Sequence, residues 1–162
     1  MQERDPRMPG AAAAMAALFL DQVTKRIAQD SLSYDSPARV LGEAVRLQLR
    51  ENTGAAFSMS WGGPLFLAIF SAAASVIVAV MLARAKNWGR ASIVGLGLVL
   101  GGALGNLLDR ILRGGAVLDF IDVGTSGWRC PTFNLADAAI TVGGLLLIIF
   151  SRRTPERRAN GG

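Results

Sequence analysis

Hydrophobic positions in this chain gather into four long runs separated by polar segments, at about residues 8–27, 64–83, 91–110 and 132–151. The second run holds no charged residue, the third none before Asp109, and the fourth only Asp137. The first is apolar as far as Leu20 and is then interrupted by Asp21, Gln22, Thr24, Lys25 and Arg26. A helix needs about 20 mostly apolar residues to cross the hydrocarbon core of a bilayer. One domain of 162 residues cannot bury four helices that are apolar all round. The pattern therefore predicts an all-α membrane protein with four transmembrane helices, forming a single polytopic domain over residues 1–162. The first run is read as a retained span and not a cleaved signal, because the helical pattern continues past Leu20.

The long connection, about residues 28–63, has a different period. Val45-Arg46-Leu47-Gln48-Leu49-Arg50 alternates strictly, which predicts a half-buried strand. Asn52-Thr53-Gly54 supplies a turn, and Ala55-Ala56-Phe57-Ser58-Met59 is expected to return as a second strand. These elements predict a small extracytoplasmic β-sheet lying on the bilayer surface. Asp119 and Asp122 fall in what reads as a short loop between the third and fourth spans.

The net charge of +5 first suggests nucleic acid, but placement along the chain changes that reading. With four spans, both termini and the middle loop share one side, which takes nine of the 17 Lys and Arg and three of the 12 acids. Those nine sit in short segments flanking the spans, where positive charge governs orientation. The expectation is a multi-pass protein with both termini in the cytoplasm and no nucleic-acid partner.

Composition then removes whole classes of chemistry. The chain has no histidine, so Ser-His-Asp and Cys-His catalysis are excluded. Histidine-bearing zinc sites go with them, and the lone Cys130 can form neither a four-cysteine site nor an internal disulfide. Proton chemistry is left to carboxylates, two lysines and one tyrosine.

Polar residues recur at helical spacing at the outer ends of the spans. Asp21, Thr24 and Lys25 share a face, as do Asn106, Asp109 and Arg110, and then Asn134, Asp137 and Thr141. Spans one and three run outward while two and four return, so topology brings these groups to one end. Asp21 with Lys25 reads most simply as an ion pair, and Gly97, Gly101 and Gly105 as a close-packing face. Asp119 and Asp137 stand out because each sits among apolar neighbours. Two carboxylates brought together share one proton, one acting as base toward water and the other as acid.

The chain resembles the lipoprotein signal peptidases (signal peptidase type II), bacterial inner-membrane aspartic proteases. The matching stretches are Asp21-Gln22-Val23-Thr24-Lys25, Asn52-Thr53-Gly54-Ala55-Ala56-Phe57, Gly101-Gly102-Ala103-Leu104-Gly105-Asn106-Leu107-Leu108-Asp109-Arg110, Val117-Leu118-Asp119-Phe120-Ile121-Asp122, and Phe133-Asn134-Leu135-Ala136-Asp137-Ala138-Ala139-Ile140. They occur in the family's order. The resemblance implies that Asp119 and Asp137 are the catalytic pair. It makes Asn52, Gly54, Asn106, Asp109, Arg110, Asn134 and Ala136 site-shaping or substrate-holding positions, and Asp21 and Lys25 a supporting polar pair. One departure is an extra residue near Arg113-Gly114-Gly115-Ala116, which keeps Asp122 as an alternative to Asp119. The implied substrate is a prolipoprotein whose cysteine already carries diacylglycerol, cut on the amino side of that cysteine near the outer face of the inner membrane. Membrane lipid is the other implied partner, the functional unit is expected to be a monomer, and no metal, nucleotide or redox cofactor is called for.

Two other classes compete. A serine–lysine peptidase would draw on Lys25 with Ser31 or Ser58, and a small transporter or membrane scaffold would use the polar cluster as an ion or proton site.

Overall fold

The computed structural model describes residues 5–54 and 63–150. Among the described residues, four helices and three strands follow in the order α1 (Met8–Ser31), β1 (Ala38–Leu41), β2 (Val45–Asn52), α2 (Gly63–Arg84), α3 (Arg90–Leu112), β3 (Val117–Val123) and α4 (Leu135–Phe150). The chain is thus mostly helical with one small antiparallel sheet, in strand order β1-β2-β3.

α3 is the central helix, packed against α1, α2 and α4. Its small residues explain how the helices come so close. A Cβ at Gly97 would run into the Gly10 backbone of α1, one at Gly101 into Ala14, and one at Gly102 into Ala136 of α4. The spacing of Gly97, Gly101 and Gly105 thus makes a close-packing face, as expected, and Gly95 with Gly102 makes a second one. Such backbone approach lets polar groups on adjacent helices reach one another.

The distribution of polarity is inside out. α1 buries Gly10, Ala14, Ala17, Asp21, Lys25 and Ala28, while Met15, Phe19, Leu20 and Ile27 lie exposed. α2 presents Phe66, Ile69, Phe70, Val76 and Ile77 outward. In water this would be a large apolar liability. Among the described residues, α2 and α3 are long and apolar enough to cross a membrane. α1 falls short through its charges, and α4 is an apolar helix of 16 residues.

The sheet differs from the expectation in two ways. The segment expected to return as a strand, residues 55–59, lies outside the described residues, and the partners of β2 are β1 and β3. The region of Asp119 and Asp122 is a strand and not a loop, made of the β-branched and aromatic residues that favour one. It follows a tight turn in which Gly114 and Gly115 both have positive φ, 63° and 100°. Only glycine adopts two such conformations in succession without strain, so the extra residue noted there is absorbed in the turn and Asp119 stays in the ladder.

The alternation expected of β2 also breaks. Leu47 pairs with Ile121 and Arg50 with Asp119, so two residues of β2 face one of β3. This bulge buries Gln48 and Leu49 together.

Candidate active site

The C-terminal parts of α1 and α3, the start of α4 and the middle of the sheet converge on a buried polar network. At its base lies Lys25, whose Nζ is 2.9 Å from Asp21 Oδ2, 2.9 Å from Asp109 Oδ2 and 3.1 Å from Asn106 Oδ1. An ammonium has three N–H donors, and here each has an acceptor. The carboxylates are equally engaged. Asp21 Oδ1 accepts the backbone N–H of Ala136 at 2.9 Å, and Asp109 Oδ2 accepts that of Leu118 at 2.9 Å. Gln22, which sequence reasoning passed over, donates to Asp21 Oδ2 at 3.0 Å and lies 3.3 Å from the Gly105 carbonyl. A polar residue next to Asp21 in an apolar span was the available signal. Thr24 turns back to the Leu20 carbonyl of its own helix and takes no part.

Lys25 also sets the polarity of what lies above it. Being a donor only, it fixes the Asn106 carbonyl toward itself, so the Asn106 amide points the other way and donates to Asp137 Oδ1 at 2.8 Å. Asn106 Oδ1 further accepts from Asn134 Nδ2 at 3.1 Å. Asn134 then donates to Asp119 Oδ1 at 2.7 Å, and Asn52 donates to Asp119 Oδ2 at 3.0 Å.

Local sequence explains why α4 starts where it does. Asn134 Oδ1 accepts the N–H of Asp137 at 3.0 Å, and Asp137 Oδ2 accepts the N–H of Asn134 at 3.2 Å. This is a reciprocal capping box with Asp in the place of the usual Glu. Asp21 answers the N–H of Ala136 in the same first turn. The other end of the arch is held by an Asx turn, in which Asn52 Oδ1 accepts the N–H of Gly54 at 2.9 Å.

Asp21, Lys25, Asn52, Gly54, Asn106, Asp109, Arg110, Asp119, Asn134, Ala136 and Asp137 all lie in or beside this network, whereas Ser58 falls outside the described residues. Asp119 is 1% exposed, and its burial is the main reason its carboxyl is pushed up to about 6. The Asn52 and Asn134 amides pull it down, and the charge of Asp137 pushes it up further. Arg110 is half-buried, within the field of Asp137, Asp119 and Asp109. Its Nη1 lies 3.4 Å from the backbone carbonyl of Asn106, and its buried Nε has no partner among the described residues. Asp122 faces away, held by Arg46 and Arg129. Among the described residues, no group of three or more His, Cys, Asp or Glu is placed to hold a metal ion.

The arrangement offers two carboxyl groups, from β3 and α4, tied through shared amides, with an arginine beside them. Comparison with known proteins sets this geometry in a family. The sequence model of the signal peptidase (SPase) II family matches residues 13–153. The chain belongs to the signal peptidase II family. The lipoprotein signal peptidase of Coxiella burnetii (strain Dugway 5J108-111) is 39% identical over 149 residues, covering 90% of each chain. That of Hydrogenovibrio crunogenus (strain DSM 25203 / XCL-2) is 40% identical over 141 residues, covering 84% of this chain and 80% of the relative. A solved bacterial membrane enzyme superposes with a TM-score of 0.79 at 30% identity, covering 89% of this chain and 92% of that one. The family match runs from within α1 through the sheet to the end of α4. Membership of a peptidase family leaves the transporter or scaffold reading without support.

Proposed function

We propose that this signal peptidase II removes the signal peptide from diacylglyceryl-modified prolipoproteins as an aspartic endopeptidase, cutting on the amino side of the lipidated cysteine. The observation that carries the reading is the bridge between Asp119 and Asp137. One residue, Asn134, donates its side-chain amide to the first and its backbone N–H to the second.

In this reading Asp119, whose burial favours the neutral carboxyl, holds the shared proton. Asp137 takes a proton from a water molecule, which attacks the scissile carbonyl. Asp119 gives its proton to the developing oxyanion or the leaving amide, and the proton gained by Asp137 returns the pair to its starting state. Arg110, with an unpaired donor beside the pair, stabilises the developing negative charge or holds a substrate carbonyl. The Asp21–Lys25–Asp109 network holds Asn106 and the start of α4 in place.

The inside-out polarity supports four membrane spans, with α1 and α4 completing what α2 and α3 begin, and the sheet at the outer surface. In that topology both termini are cytoplasmic, residues 1–162 form one domain that works as a monomer, and the acyl chains of the substrate stay in lipid. The test is cleavage of a diacylglyceryl-modified prolipoprotein by the purified protein. Asp119→Asn and Asp137→Asn should each abolish it while leaving the protein inserted; cleavage retained by either variant would refute the dyad.

A further inference from the structure

Asp122 lies outside the dyad, yet it is the most heavily engaged group on the other face of β3. Arg46 Nη2 is 2.9 Å from its Oδ2, and Arg129 Nε is 2.6 Å from its Oδ1. Arg129 reaches further, donating to the Glu43 carbonyl at 3.0 Å and to the backbone carbonyl of Asp122 at 3.2 Å. Four segments are thereby joined: the β1–β2 turn, the start of β2, the end of β3 and the stretch leading to α4. Burial works against ionisation of Asp122, but the two arginines outweigh it and hold the carboxyl below the usual carboxylate range.

The position of this cluster matters because of strand parity. Arg46 and Asn52 are an even number of residues apart, so a regular strand would put them on one face. Their partners Asp122 and Asp119 are an odd number apart and lie on opposite faces of β3. A regular ladder cannot make both pairs. The extra β2 residue between Leu47 and Arg50 resolves the conflict by switching the face of everything after it. The bulge is held from outside, where Gln48 Nε2 donates to the Tyr34 carbonyl at 2.6 Å and the N–H of Leu49 donates to the Ser33 carbonyl at 3.2 Å.

We infer that Asp122, clamped between Arg46 and Arg129, is a positioning residue that fixes the register of β2 on β3, so that the bulge delivers Asn52 to Asp119. A slip of one residue would turn Asn52 away and leave Asp119 with Asn134 alone.

This inference rests on the dyad reading above, and its test reads the protonation of Asp119. The groups acting on Asp119 are Asn52 from β2, Lys25 from α1, Arg110 from α3, Asn134 just before α4 and Asp137 on it, while the exposed register partner Arg50 is turned to Gln48. Of these, Asn52 alone depends on the clamp. Its donation favours the ionised form, so losing it lets Asp119 keep its proton to higher pH.

The experiment is the pH profile of kcat/KM for prolipoprotein cleavage. In Asp122→Ala the basic limb should move upward by about half to one pH unit. Asn52→Leu should move it in the same direction, and Asp122→Ala should add nothing in the Asn52→Leu background. Asp122→Glu should restore the wild-type limb. Should Asp122→Ala fail to accumulate, Arg46→Met, which leaves Asp122 on Arg129, should show the same upward movement. An unmoved limb in these variants, or shifts that add in the double variant, overturns the inference. Cleavage retained by Asp119→Asn would instead overturn the dyad reading itself.

Discussion

Asp119 is the residue whose environment says most about its chemistry. Its carboxyl, raised to about 6, is more easily kept neutral in the folded protein than in the unfolded chain, where the ordinary value is 3.8. The stabilisation linked to that proton is complete below pH 4 and is lost as pH rises through about 6. Asp119→Asn removes the titration. Its thermal midpoint in detergent micelles should therefore gain on the wild type as pH rises from 4 to above 6, with no further gain beyond. In the wild-type enzyme the same group should set a basic limb of kcat/KM near pH 6, read from initial rates across pH. The two aspartates of the proposed dyad were legible as candidates in the sequence because each interrupts an apolar stretch. Gln22 and the backbone donors of Ala136 and Leu118 were not, since a main-chain N–H has no signature in sequence.

At the scale of elements, the helices were legible and the sheet was only half so. Long apolar runs announce helices through length and composition alone, and the bounds of α1 differ from the expected first span mainly in running on to Ser31. β3 was hidden because Val117–Val123 reads as a hydrophobic stretch between two spans, with nothing local to name its partner. The bulge in β2 was hidden more deeply, since the sequence alternates perfectly through it and only pairing with β3 breaks the period. Two predictions belong here. Lys25→Met leaves Asp21 and Asp109 buried without their cation, at a cost of about 3–5 kcal/mol, to be read as a lowered thermal midpoint and reduced accumulation. Gly105→Ala places a methyl against the Asp21 carboxylate, displacing it from Lys25 and from the N–H of Ala136. That variant should insert normally and lose most of its cleavage activity, because the disturbance falls on the start of α4 and not on the membrane-facing surface.

Over the whole molecule, the excess of positive charge and the apolar exterior have one explanation. In the proposed topology, charge marks the side of the membrane and the apolar side chains meet lipid, while Asp21, Lys25 and Asp109 are turned inward. In the proposed topology, the stretch between β3 and α4 lies outside. Cys130 is partly exposed there and is the chain's sole cysteine, so a membrane-impermeant maleimide should label it in intact spheroplasts. Labelling that requires lysis would reverse the orientation.

The bond from Asp21 to the N–H of Ala136 joins residues 115 positions apart, and it bears on how the enzyme comes into being. In the proposed topology, synthesis from the amino end brings α1 into the bilayer carrying a lysine and a carboxylate well before the partners on α3 and α4 exist. Asp109 and Asn106 arrive next and surround Lys25. Asp137 comes last, on the helix whose first turn Asp21 is waiting to cap. On the proposed mechanism a half-made chain thus contains no pair of reactive aspartates, and hydrolytic competence arrives only when the final helix docks.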